Sequence, residues 1–213
     1  ENAAPAQASL DDEGWSLLSH WDLDPLLTRL FAIIQPTIIK ARTQPIEQLG
    51  FDPRYAIDTS KHPYPVSQTL YYVQGVLGMS PPLVFQNNDD PGGLGIVHAQ
   101  TPAIVLGQGA FDAGISNQAL AFVAGRHLTS FRPGFYVRHL VPTGTGLKAW
   151  LFAAIKLCVP QFPVSADLQH AVAEAMQTMG NDFKGADKDL LTSAVSKLLQ
   201  AGGALDLKRW VAS

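Results

Sequence analysis

Charge is scarce in this sequence. Asp, Glu, Lys and Arg make up 15% of the 213 residues, against about 25% in an average soluble domain. A surface so poor in charge is expected to lie against something else, a protein partner or further chain. The formal net charge is −3, which leaves no basic footprint and argues against nucleic acid as a main ligand. Cysteine occurs once, as Cys158 in "AWLFAAIKLCV". No disulfide framework can form within the chain, which fits a cytoplasmic setting, and Cys158 reads as a small hydrophobe. No apolar run approaches the roughly 18–20 residues of a membrane-spanning helix. The opening "ENAAPAQAS" has neither Met nor a signal-peptide pattern and reads as the tail of a linker. Because "LDLKRWVAS" ends in helical texture without a cap, the chain is expected to be a piece of a longer protein.

What is present is mostly helical. Asp24-Pro25 makes a helix start, and "PLLTRLFAII" follows it until Pro36 breaks or kinks the helix ahead of "TIIKA". "HPYPVSQTLYYVQGVLGM" predicts a second helix, entered through Pro63 and Pro65 and ending near Gly75–Gly78. The texture then turns to strand: "PPLVFQNN", a turn at "DDPGG", then "LGIVHAQ" and "PAIVLGQG". Residues 94–99 and 102–108 are expected to pair antiparallel through Gln100-Thr101, with 82–87 close by. Ser116 predicts the N-cap of a further helix, stopped by Arg132-Pro133-Gly134. "GLKAWLFAAIKLCV" predicts a core helix, "SADLQHAVAEAMQTM" and "ADKDLLTSAVSKLLQA" two amphipathic ones, and a last helix begins near Leu205. The fold class is therefore α+β, mostly helical with a small sheet at about 82–108.

Searches for chemistry mostly eliminate it. "GTGLK" (144–148) lacks the spacing of a phosphate loop, and "GQG" (107–109) lacks the third glycine of a dinucleotide fingerprint. The six histidines, at 20, 62, 98, 127, 139 and 170, never stand two, three or four residues apart, the spacing local metal sites favour. "HWDLD" (20–24) offers one His and two Asp, but Asp24 serves better as a helix cap. "NNDDPGG" lacks the distal Glu of a calcium loop and reads as a solvated turn.

One stretch resists a bland reading. "AFVAGRHLTSF" (121–131) reads as mid-helix yet centres on Gly-Arg-His. The order from 82 to 131, a strand, the glycine-rich "TPAIVLGQGAFDAG" and a helix with "NQALAFVAGRHL", is similar to the M48-type zinc metallopeptidases. Aligned on the turn, that family's first zinc-binding His falls on Gly125, its Glu on Arg126 and its second His on Thr129. The resemblance implies a lead segment over 1–20 and one M48-like domain over 21–213, with the sheet packed on the motif helix. In the family an acidic third ligand follows on a later helix, which the end at Ser213 would cut off. Relatives with degenerate motifs accompany tetratricopeptide-type repeats in large bacterial proteins, which implies a scaffolding role.

The departures decide the functional expectation. A zincin needs two neutral imidazoles one helical turn apart and a carboxylate to take a proton from zinc-bound water. Glycine offers no ligand, threonine is a poor one, and arginine stays protonated. The expectation is thus a pseudopeptidase with no metal and no cofactor, acting through protein contacts, with Gly125, Arg126 and Thr129 as the remnant cleft. Arg126 is expected either to stand in for the lost dication, bridging to a carboxylate or to backbone carbonyls, or to face solvent. Leu120, Val123, His127 and Phe131 make one helical stripe, which predicts a buried structural His127 with Leu120, Val123 and Leu128 in core contact. Two rivals stay open: a hydrolase built on His98, His139 and Asp112, and a purely structural module.

Overall fold

The computed structural model describes residues 9–21, 23–180, 182–202 and 206–212. The elements run α1 (Asp12–Leu18), α2 (Pro25–Arg42), α3 (Pro65–Leu77), β1 (Leu83–Gln86), β2 (Leu94–Val97), β3 (Ala103–Leu106), α4 (Asn117–Thr129), α5 (Val137–Leu140), α6 (Gly144–Cys158), α7 (Gln169–Gly180), α8 (Ala186–Gln200) and α9 (Leu207–Ala212), with short 3-10 turns between. The fold is α+β and mostly helical, with one small mixed sheet. Contacts group the chain into two compact units: Glu1–Ser19 with Thr43–Arg132, and His20–Arg42 with Pro133–Ser213. The sequence reading treats 21–213 as one domain; along the chain the two units interleave. Within the segment read as linker, α1 is helical, and the expected helix start at Leu205 lies outside the described residues.

The first unit holds the sheet. Its order is β1-β3-β2, with β3 central, antiparallel to β2 and parallel to β1. The expected antiparallel pair is present, in the register Leu94↔Leu106 to Val97↔Ala103. Alternation along β3 sorts its two faces. Ile104 and Leu106 join Val84 of β1 and pack on Val66, Leu70 and Val73 of α3 and Leu120, Ala124 and Leu128 of α4. Ala103 turns the other way, with Phe85, Ile46 and Ala99. Each fully buried Ile or Leu contributes about 1.5–3 kcal/mol relative to an exposed one. Helix α3 starts at Pro65, as the sequence indicates, and stops at Gly78, whose φ of 64° is the left-handed conformation glycine adopts without strain.

The glycines of "GQG" have a packing role. Residues 90–93 fold back onto them: the Gly107, Gln108 and Gly109 amides donate to the carbonyls of Gly93, Asp90 and Gly92 at 2.9, 2.7 and 2.8 Å. Gly107 has an ordinary φ of −80°, so its backbone conformation does not demand glycine. Close approach does, because an added Cβ would stand 2.7 Å from the Asp90 carbonyl oxygen and closer still to that of Gly92.

The second unit is a helical bundle. Asp24 caps α2, its carboxylate accepting from the Leu26 and Leu27 amides at 2.8 and 3.2 Å, as the sequence indicates. The expected break at Pro36 does not occur: α2 runs unbroken from Pro25 to Arg42. Proline removes one N–H from the ladder, but Phe31, Ile34 and Ile38 on either side of it are buried in one core, which keeps both halves in one helix. That core continues through Trp150, Leu151 and Ile155 of α6, Val172 and Met179 of α7, and Leu191, Val195 and Leu198 of α8. "GTGLK" is the first turn of α6, where the Thr143 hydroxyl accepts from the Gly146 amide at 3.1 Å.

Helix α9 is held by its tryptophan. Trp210 is fully buried, stacks on Phe31 at 4.6 Å between centroids, and donates its indole N–H to the Thr28 hydroxyl at 2.8 Å. Over its ring lies the Arg138 guanidinium, 4.1 Å from the centroid, which also donates to the Trp210 carbonyl. Burial pushes Arg138 down to about 10.

A matched pair of substitutions tests the docking of 90–93. Gly107→Ala is expected to cost about 1–3 kcal/mol through overpacking. Gly93→Ala, with nothing within 4 Å of the new Cβ, should stay within about 0.5 kcal/mol of wild type. Urea denaturation midpoints at unchanged slope measure both.

Candidate functional site on helix α4

The Ser116 hydroxyl starts α4 as expected, accepting from the Ala119 amide at 3.2 Å. The face α4 buries corrects the sequence reading. Its buried residues are Leu120, Ala124 and Leu128, a stripe at i, i+4 and i+8; Leu120 and Leu128 are buried as expected, but the expected stripe ran from Leu120 through Val123, His127 and Phe131. The two stripes share Leu120 and then diverge by about 100°. Ala124 wins over Val123 because a methyl side chain lets α4 approach α3 and the sheet closely. Val123 and His127 are left half-buried on the flank.

His127 is accordingly no core residue. Its Nδ1 lies 2.8 Å from the Val123 carbonyl oxygen one turn back, so the ring is held by its own helix. Gly125, Arg126 and Thr129 share the outward side of α4. Gly125 is half-buried, and a Cβ there would meet only Val73 Cγ1 of α3, at 3.8 Å. Arg126 is exposed, and among the described residues no hydrogen bond or ion pair engages its guanidinium. Of its two expected placements it takes the solvent-facing one. The Thr129 hydroxyl donates to the Arg126 carbonyl at 3.1 Å and that of Ser130 to the same oxygen at 3.2 Å. Phe122, one turn before Arg126 on the same stripe, is 73% exposed.

Among the described residues no three His, Cys, Asp or Glu side chains converge as a metal would require. Asp22 of "HWDLD" lies outside the described residues, and Asp24 caps α2. In "NNDDPGG" the side chains of Asn87 and Asp90 close local turns onto the amides of Asp89 and Gly92. Of the rival hydrolase set, His98 follows β2, and burial pushes it below the usual imidazole value. Asp112 closes a turn on the Gly114 amide at 2.8 Å, while His139 belongs to the other unit, its ring 6.3 Å from that of Tyr136. Cys158 is half-buried, its sulfur 3.5 Å from the Thr192 hydroxyl. Among the described residues no helix is long and apolar enough to cross a membrane.

Helical spacing sets Phe122, Gly125, Arg126 and Thr129 on one stripe apart from the core side, and of these Phe122 and Arg126 are exposed, opposite Leu120, Ala124 and Leu128. No family model, curated protein or solved structure matches the chain.

Two substitutions follow from this placement. Gly125→Ala is expected to stabilise by up to about 1 kcal/mol, the helix-propensity difference, since its methyl meets no closer than ordinary contact. His127→Ala should cost no more than about 1 kcal/mol, the net worth of one partly solvated hydrogen bond. Thermal or urea midpoints measure both, and a loss of several kcal/mol for His127→Ala would restore the buried-histidine reading.

Proposed function

We propose that the chain is a metallopeptidase-like domain without zinc-dependent catalysis, working as a protein-interaction module in a cytoplasmic, scaffold-type protein. The proposal joins the resemblance of 82–131 to the M48-type enzymes with the side chains on the outward stripe of α4. Where that resemblance calls for imidazole, carboxylate and imidazole, the stripe carries Gly125, Arg126 and Thr129. A fixed guanidinium opposes a divalent cation by Coulomb repulsion and cannot accept a proton from water.

The observation that carries the interaction half is the exposed pair Phe122 and Arg126. Aromatic residues and arginine are the side chains enriched in protein interfaces and their energetic centres. A large aromatic 73% exposed, one turn from an arginine with no partner among the described residues, suits a surface made to be covered. The occupant is a partner protein or the remainder of the same polypeptide, in keeping with the low charge fraction.

Metal analysis and a fluorogenic peptide assay on the purified protein test the catalytic half. The expected result is sub-stoichiometric zinc and no metal-dependent hydrolysis; stoichiometric zinc accompanied by hydrolysis would overturn it. For the interaction half, a photo-crosslinking amino acid replaces Phe122 in the longest natural polypeptide. A single defined adduct, within the chain or to one partner, is expected, and its loss in the Arg126→Glu background would confirm the pairing.

A further inference from the structure

A second surface lies in the helical unit and is independent of the α4 reading. A groove of about 860 Å³ runs between α2 and the start of α8, with Arg29, Ile33 and Pro36 on one side and Phe183, Asp187 and Leu190 on the other. Arg29, Ile33, Pro36 and Lys40 recur at i, i+4, i+7 and i+11, one continuous stripe of α2. It is separate from the stripe α2 buries through Leu27, Leu30, Phe31, Ile34 and Ile38. One end of the groove is closed by a built polar cluster. Asp182 accepts from the buried Thr37 hydroxyl and from Lys40 Nζ, each at 3.0 Å, and these bonds hold its carboxyl below the usual carboxylate range. Toward the other end Arg29 is exposed, and among the described residues it has no ion pair or hydrogen bond. Leu190 is 47% exposed. Two helix flanks with Ile33, Pro36, Phe183 and Leu190 among their lining, Asp187 on the α8 side, and a cation at Arg29 with no partner among the described residues form a seat for a third helix.

The chain also carries a helix without a seat. Helix α1 buries none of its residues, and Leu17 and Leu18 are 81% and 67% exposed. Its first turn is acidic, with Asp12 and Glu13. Its base is anchored within its own unit: Trp15 lies under the Arg132 guanidinium at 3.8 Å, and the Leu10 amide donates to the Val76 carbonyl at 2.8 Å.

We propose that α1 of one copy docks in the α2–α8 groove of a second copy, with Leu17 and Leu18 against Ile33 and Leu190 and Glu13 at Arg29. The register supports this pairing. Glu13 to Leu17 and Arg29 to Ile33 are both i, i+4 steps of about 6 Å, so a helix laid parallel to α2 satisfies both contacts together. Laid antiparallel, its acidic turn would move away from the free cation. The two surfaces differ, so the contact is heterologous, and each copy keeps one donor helix and one acceptor groove, head to tail. A seven-residue helix buries less than a standard interface, so the association is weak and concentration-dependent.

Complementation between variants of the intact chain tests it, read by sedimentation velocity with circular dichroism to check folding. Wild type should self-associate as concentration rises. Leu17→Glu with Leu18→Glu removes the donor, Leu190→Glu removes the acceptor, and each should weaken association at least about tenfold. Mixed in equal amounts, the two variants retain one intact donor and one intact groove and should form a one-to-one dimer. Should Leu190→Glu fail to fold, charge reversal carries the test: Arg29→Glu should weaken association and Glu13→Arg in the same chain should restore it. A wild type that stays monomeric at every concentration, or a mixture that stays monomeric, overturns the proposal. So does self-association unaffected by these substitutions.

Discussion

The rotational setting of α4 is the constraint on which the functional reading depends. Leu120, Ala124 and Leu128 are gripped by Val66, Leu70 and Val73 of α3 and by Ile104 and Leu106 of β3. A helix has 3.6 residues per turn, so once that stripe is buried every other direction follows. Phe122 and Arg126 point outward, His127 lies on the flank, and Gly125 sits beside Val73. Turning α4 by one residue would bring Val123 and His127 inward and leave Ala124 and Leu128 outside. The core would then hold an imidazole in place of an aliphatic side chain, a change burial does not favour without a partner for the ring.

Much of this architecture was legible in the sequence. Helix starts were readable wherever a short oxygen-bearing side chain or proline precedes an apolar run, as at Asp24, Pro65 and Ser116. The antiparallel pair of β2 and β3 was readable from two β-branched runs separated by a turn-length gap. The burial of α6 was readable because Leu147, Trp150, Leu151 and Ile155 leave little of its circumference polar. What stayed hidden depends on tertiary contact. Ala124 was passed over for Val123 because hydrophobicity ranks valine higher, yet close helix approach selects the smaller side chain. The run through Pro36 was hidden because the packing that keeps α2 helical across it lies more than a hundred residues away, in α6 to α8. The role of Gly107 was hidden too, since only the fold-back of 90–93 supplies the carbonyls its missing Cβ leaves room for.

The two units solve the same problem by different means. In the sheet unit, order comes from β3, flanked on both edges and packed on both faces. In the helical unit it comes from long apolar helices and the clasp of Trp210 by Phe31, Thr28 and Arg138. Each leaves exposed side chains on a helical stripe apart from the one its core buries: Phe122 and Arg126 on α4, Arg29 and Pro36 on α2. A chain with few charges and two such stripes is suited to being covered.

The setting of α4 can be measured residue by residue. In a Cys158→Ser background, single cysteines are placed in turn at 122, 123, 124, 126, 127 and 128, and thiol labelling rates are followed under native conditions. The account predicts fast labelling at 122 and 126, strong protection at 124 and 128, and intermediate rates at 123 and 127. Protection at 123 and 127 with fast labelling at 124 would place the histidine in the core. It would turn Phe122 and Arg126 away from the surface assigned to them and contradict the account.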